Sequence, residues 1–123
     1  MTGGNPVSGI EWVIEAHGCE AGALTDVTRL ERLFDQLTHE MDLHPLGHAS
    51  WHQFPNTGGI TGMTLLQESH LACHTFPEYG SMCLNLFCCR EREDGDFEGL
   101  IKSGFGAAVV RVRKIERPYS DVS

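Results

Sequence analysis

Nowhere in this chain of 123 residues does an apolar run approach the roughly 18 residues that a membrane-spanning helix needs, so no helical membrane protein is expected. Positive charge is also scarce. Nine Lys and Arg face 17 Asp and Glu, for a net charge of -8. So acidic a chain lacks the basic footprint that phosphate backbones require, and no nucleic-acid partner is expected. Met1 to Pro6 carry neither a basic stretch nor an apolar core, so no secretory signal is read there. Thr57 to Gly62 is rich in glycine, but the Gly-Lys-Ser/Thr ending of a phosphate-cradling loop is missing. A Gly-x-Ser-x-Gly nucleophile elbow is missing too. The five cysteines, Cys19, Cys73, Cys83, Cys88 and Cys89, are odd in number and include an adjacent pair. That pattern argues against a disulfide framework and for reduced thiols in the cytoplasm. His44, His48 and His52 have the spacing of metal ligands on a helix, but Pro45 and Gly47 interrupt it. Structural zinc thiolates are separated by two to four residues, unlike Cys88 and Cys89, so no metal is expected.

What is present fits one soluble domain spanning residues 1–123. Apolar residues make up 41% and charged residues 21%, as in ordinary globular proteins. Residues 1–9 read as a flexible lead. Residues 11–16 form a first strand, and Gly18 and Gly22 bracket a loop. Thr25 and Asp26 offer capping chemistry for a helix whose apolar stripe is Val27, Leu30, Leu33, Phe34, Leu37 and Met41. Strands are expected near 49–54 and 61–66. A hairpin follows, with arms 70–75 and 82–88 around turn residues 76–80. A charged loop, a short helix over Phe97, Leu100 and Ile101, and an alternating strand over 107–115 complete the chain. The fold class is therefore α+β: a two-layer sandwich with two helices over a mostly antiparallel sheet.

The densest chemistry lies between Leu65 and Cys89. Glu68-Ser69-His70 is followed by His74-Thr75-Phe76-Pro77-Glu78 and then by Phe87-Cys88-Cys89. This run resembles the signature of the small prokaryotic S-adenosylmethionine decarboxylase proenzymes. The likeness continues upstream through His52-Gln53-Phe54 and Ile60-Thr61-Gly62, and more loosely to Gly18-Cys19. The resemblance implies a proenzyme that cuts itself between Glu68 and Ser69, giving chains of residues 1–68 and 69–123. Ser69 would become a pyruvoyl group, so no external cofactor is implied. Such a ketone captures a substrate amine as a Schiff base and takes up electrons as CO2 leaves, as pyridoxal phosphate does.

The same resemblance assigns roles. His74 matches the histidine that assists elimination, and Thr61 matches a Ser/Thr position that aids processing. Cys89 matches the catalytic acid, a task that suits a thiol whose pKa lies near the working pH. Glu78 matches a carboxylate on the ribose hydroxyls, and Phe54 resembles an aromatic stacked on adenine. The implied product is the decarboxylated aminopropyl donor of spermidine synthesis, and the implied assembly is a homodimer with its sites near the interface.

Strand geometry adds a reading that owes nothing to the family. If the hairpin turns about Glu78 and Tyr79, opposed residue numbers sum to about 157, which sets Ser69 beside Cys88 or Cys89. Directly opposed Cβ atoms lie ~5 Å apart. Ser69 and His74, however, are roughly 16 Å apart along a straight strand and point to opposite faces. Either the strand bends, or a partner subunit helps to close the site.

The sequence also departs from the family pattern. Asn85 stands where an aspartate is common, Cys88 where threonine precedes the catalytic cysteine, and Arg90 where glycine follows it. Ser81-Met82-Cys83 and Phe76 are further departures, and the loop from Phe54 to Gly59 is one residue longer than usual. None of these touches Ser69, His74 or Cys89. They leave open a pyruvoyl decarboxylase of arginine or ornithine, or an unprocessed binding homologue. Cys73 and Cys83 read as small core residues, His70 as a structural hydrogen bonder, and His17, His39, His44 and His48 as surface or capping residues.

Overall fold

A computed structural model describes residues 8–121. The expected lead at residues 1–7 lies outside that range, whereas Ser8 and Gly9 already belong to a strand. In chain order the elements are β1 (Ser8–His17), α1 (Ala21–Leu24), α2 (Val27–Glu40), β2 (Ser50–Gln53), β3 (Ile60–Leu66), β4 (Ser69–Phe76), β5 (Ser81–Cys88), α3 (Phe97–Phe105) and β6 (Val109–Pro118). Among the described residues six strands form one sheet in the order β2-β3-β4-β5-β1-β6, and every neighbouring pair is antiparallel.

One face of that sheet carries the core. Trp12, Ile14, Leu71, Cys73, Leu84 and Leu86 alternate along the three central strands and are almost fully buried. They meet Leu30, Leu33 and Leu37 of α2 and Phe97, Ile101 and Phe105 of α3. Helix α2 starts where its cap predicts, with the Asp26 side chain accepting from the Thr28 N–H at 3.0 Å. Helix α3 has the same device, with Asp96 accepting from Gly99, and ends on Gly106 in the left-handed conformation.

The structure adds one element and redraws some limits. Helix α1 occupies part of the expected loop, so three helices rather than two lie over the sheet. Its single turn has no side-chain cap; Ala23 and Leu24 are buried. It is fixed from outside, by Glu20 N–H to the Phe105 carbonyl (2.9 Å) and by the Thr75 hydroxyl to the Leu24 carbonyl (2.7 Å). Strand β6 is an exposed edge along most of its length, held by ten register pairs to β1. Gly62 is glycine for space: a Cβ there would come within 2.1 Å of the ring of Trp51, which faces it from β2 and packs on Phe34.

The face away from the helices alternates differently. It presents Glu11, Val13 and Glu15 from β1, His70, Ala72 and His74 from β4, and Cys83, Asn85 and Phe87 from β5. These residues are half-buried, apart from the exposed His74. Met63 and Leu65 of β3 and Ile115 of β6 lie there exposed.

Candidate active site

Strands β3 and β4 are joined by a two-residue turn, Gln67-Glu68, because Leu66 pairs directly with Ser69. The turn is tied down from several directions. Gln67 N–H donates to the His44 carbonyl at 2.8 Å, and Pro45 bridges Leu66. The Glu68 carbonyl accepts from the Cys89 N–H at 2.9 Å. The Glu68 carboxylate takes both arms of Arg90, from Nε at 2.5 Å and NH2 at 2.7 Å. That paired hydrogen bonding holds the Glu68 carboxyl below its ordinary range. Arg92 closes the far side by donating to the carbonyls of Met41 and Asp42. Between these groups lies a cavity of about 230 Å³ that Ser69 helps to line.

Ser69 pairs with Cys88 in β5, as the sum of 157 predicts. Burial pushes the Cys88 thiol up, while the Ser69 hydroxyl and the Arg92 charge act the other way. Cys88 is buried on the helix side, whereas Cys89, one residue on, is half-buried beyond the strand end. The Tyr119 hydroxyl donates to the Cys89 carbonyl.

The opposite end of β4 gathers the other expected residues. Thr61 pairs with His74 across the β3–β4 ladder, and Thr61 Oγ1 lies 3.0 Å from His74 Nδ1. Phe54, Thr61, His74 and Glu78 line a single cavity of about 320 Å³, within the lower range of small-molecule sites. Phe54 is placed by a loop closed on itself, with Phe54 N–H to the Gly59 carbonyl (2.8 Å) and Gly58 N–H to the Phe54 carbonyl (2.9 Å). The Gln53 side chain bridges that loop to Thr25. Glu78 sits in the β4–β5 turn, which Gly80 completes at φ 64°. The Gly80 carbonyl then takes the Cys19 N–H, so the N-terminal Gly18-Cys19 segment supports the turn from below.

The expected residues thus fall into two separate groups. Ser69, Cys89 and the Glu68–Ser69 bond stand at one end of β4, and Thr61, His74, Phe54 and Glu78 at the other. The pairing of β4 runs unbroken between them, with no bulge, and five residues at about 3.3 Å each separate Ser69 from His74. Ser69 falls on the helix side with Cys88, and His74 on the open side.

The sequence marks Asn85 as a departure and His70 as a structural hydrogen bonder, which its contact with Asn85 bears out, but gives no sign of Glu11, Arg117 or Tyr119. Asn85 donates to Glu11 at 2.7 Å, and its oxygen lies 3.0 Å from His70 Nε2, which is then the donor. Arg117 holds Glu11 from β6. The Asn85 hydrogen bond and the Arg117 charge depress the Glu11 carboxyl. Arg117 and Tyr119 meet these partners only through the β1–β6 pairing, for which the sequence carries no local signal, whereas Asn85 reaches Glu11 across β1 and β5.

A family model described as S-adenosylmethionine decarboxylase matches residues 10–118. The S-adenosylmethionine decarboxylase proenzyme of Moorella thermoacetica is 32% identical over 104 residues, covering 84% of this chain and 82% of that protein. The corresponding proenzyme of Carboxydothermus hydrogenoformans is 29% identical over 106 residues, covering 85% and 82%. In fold, the chain is similar to the crystal structure of the adenosylmethionine decarboxylase from Aquifex aeolicus VF5. The TM-score is 0.75 at 20% identity, over 97% of this chain and 98% of the other.

Proposed function

The chain belongs to the S-adenosylmethionine decarboxylase family, and from that premise we propose that it cuts itself between Glu68 and Ser69 and then decarboxylates S-adenosylmethionine. The observation that carries this reading is the Cys89 N–H on the Glu68 carbonyl oxygen at 2.9 Å, with Ser69 on the adjoining rung.

That donor sits where negative charge develops when the Ser69 hydroxyl attacks the Glu68 carbonyl carbon. The new C–O bond forms, the C–N bond breaks, and the hydroxyl proton passes to the Ser69 nitrogen, leaving an ester. Loss of the Ser69 Cα proton to a base then expels Glu68 as a carboxylate. The dehydroalanine left behind tautomerises to an imine, and its hydrolysis by water, with release of ammonia, leaves a pyruvoyl end on residues 69–123. The half-buried Ser69, beside a thiol and behind a carbonyl already hydrogen-bonded, fits the formation of that group. Once made, it supplies an electrophile for a substrate amine and a sink for the electrons released with CO2. Cys89, at the same end of β4, delivers the proton to the substrate α-carbon.

His74 is the base for elimination, steadied by Thr61 Oγ1. Because His74 cannot reach the Ser69 of its own chain, the proposal includes a homodimer. Each site then takes Ser69 and Cys89 from one chain and His74, Thr61, Phe54 and Glu78 from the other. The open sheet face, with Val13, Met63, Leu65 and Phe87, offers apolar surface for that contact. In the cavity at the far end of β4, Phe54 provides an aromatic face for adenine and Glu78 a carboxylate for ribose hydroxyls. All five cysteines are unpaired, which fits a reducing compartment such as the cytoplasm. No helix among the described residues is long and apolar enough to cross a membrane.

Intact-mass spectrometry of the denatured protein, beside Ser69→Ala, tests the reading. We expect two fragments meeting at Glu68–Ser69, the second bearing a pyruvoyl mass, and an uncut Ser69→Ala chain. A wild-type chain that stays whole after prolonged folded incubation leaves no electrophile and removes the decarboxylase reading in favour of a binding homologue.

A further inference from the structure

We propose that Arg90 is a positioning residue for self-cleavage: with the Cys89 N–H it clamps Glu68 at both ends and neutralises the carboxylate next to the bond that breaks. The inference rests on the self-cleaving reading above and goes beyond it, because Arg90 stands where that family commonly has glycine.

The geometry is specific. Two consecutive residues, Cys89 and Arg90, hold one residue, Glu68. The backbone N–H of the first takes the Glu68 carbonyl at 2.9 Å, and the side chain of the second takes the carboxylate in a paired grip at 2.5 and 2.7 Å. Exposed ion pairs usually add little to stability, and this one is exposed, with Arg90 at 70% and Glu68 at 38%. Its value lies in where it sits. Attack by Ser69 turns the Glu68 carbonyl into an oxyanion a few bonds from the Glu68 carboxylate. Left alone, the carboxylate would repel that charge and swing freely in the turn. Arg90 cancels the repulsion and fixes the side chain, while Arg92 adds weaker positive charge nearby.

This role predicts a pattern that a purely structural role would not give. Arg90→Gln leaves Glu68 charged and unheld, and self-cleavage should slow about tenfold. Arg90→Lys keeps the charge without the fork and should fall between Arg90→Gln and the wild type. Removing the carboxylate as well, in Glu68→Gln/Arg90→Gln, should cut faster than Arg90→Gln alone.

The measurement is the rate at which freshly folded precursor converts to two chains, read by intact mass. Folding is checked by the melting temperature of each variant in the uncleavable Ser69→Ala background, which should stay near the parent value. Cleavage of Arg90→Gln at the wild-type rate would overturn the inference, as would a double variant no faster than Arg90→Gln. A wild-type chain that never cuts fails at the earlier step and overturns the self-cleaving reading itself.

Discussion

The two faces of the sheet are built from the same strands yet read as two different kinds of surface. On the helix side, Trp12, Leu71, Leu84 and Leu86 are closed off by α2 and α3, and nearly every side chain there is apolar. On the open side, Glu11, His70, His74 and Asn85 alternate with Val13, Phe87 and Met63, and hydrogen bonds run across the strands. Period two along one strand therefore gives packing to one face and a mixed polar and apolar surface to the other. The difference teaches where a substitution will register: in folding along the middle of the first face, and in the proposed assembly on the second, with Ser69, at the end of the covered face, the exception whose loss registers in self-cleavage.

That contrast can be broken in steps. Leu86→Ala, on the covered face, removes a fully buried side chain and should cost about 2–5 kcal/mol in urea unfolding. A cost under about 1 kcal/mol would mean that this face is not the core. Val13→Asp, in the middle of β1 on the open face, should change the stability of the isolated chain far less and should halve the molar mass of the proposed dimer seen by sedimentation. A dimer that survives it would move the interface elsewhere.

Thiol labelling of the folded protein should mark Cys89, which is half-exposed, and spare Cys19, Cys73 and Cys88, while Cys83, on the open face, should label faster when the proposed dimer is dissociated. Burial drives the Cys73 thiol up to about 12, so it stays protonated as well as hidden. Rapid labelling of Cys73 would show that the covered face opens.

The smallest effect concerns Glu11. Its folded pKa is depressed, so its contribution is complete above the ordinary carboxylate value of about 4 and is lost as pH falls through the folded value. Glu11→Gln should accordingly lose less stability between pH 7 and pH 3 than the wild type. Equal acid sensitivity in the two proteins would remove Glu11 from the network.

Local signals carried much of this architecture. The α2 stripe, the Asp26 cap and the β4–β5 register follow from residue spacing, and the register alone sets Ser69 beside Cys88. It also shows in advance that Ser69 and His74 lie far apart on different faces. Other features are decided by partners distant in sequence. Helix α1 has no cap of its own and exists because Phe105 and Thr75 hold its ends. The outer place of β6 beside β1, and with it the Arg117–Glu11 and Tyr119–Cys89 contacts, comes from tertiary packing. Arg90 was visible as a departure, but its partner emerged only when the two-residue turn brought Glu68 to the end of β5.

The separation of Ser69 and His74 along β4 has a genetic consequence. In the proposed dimer, a chain lacking Ser69 and a chain lacking His74 are each dead alone, since every site in either homodimer is broken. Mixed before folding, they assemble a heterodimer in which one site draws an intact Ser69 from one parent and an intact His74 from the other. Random pairing would restore about a quarter of all sites. Two null alleles of a single small gene would then complement one another.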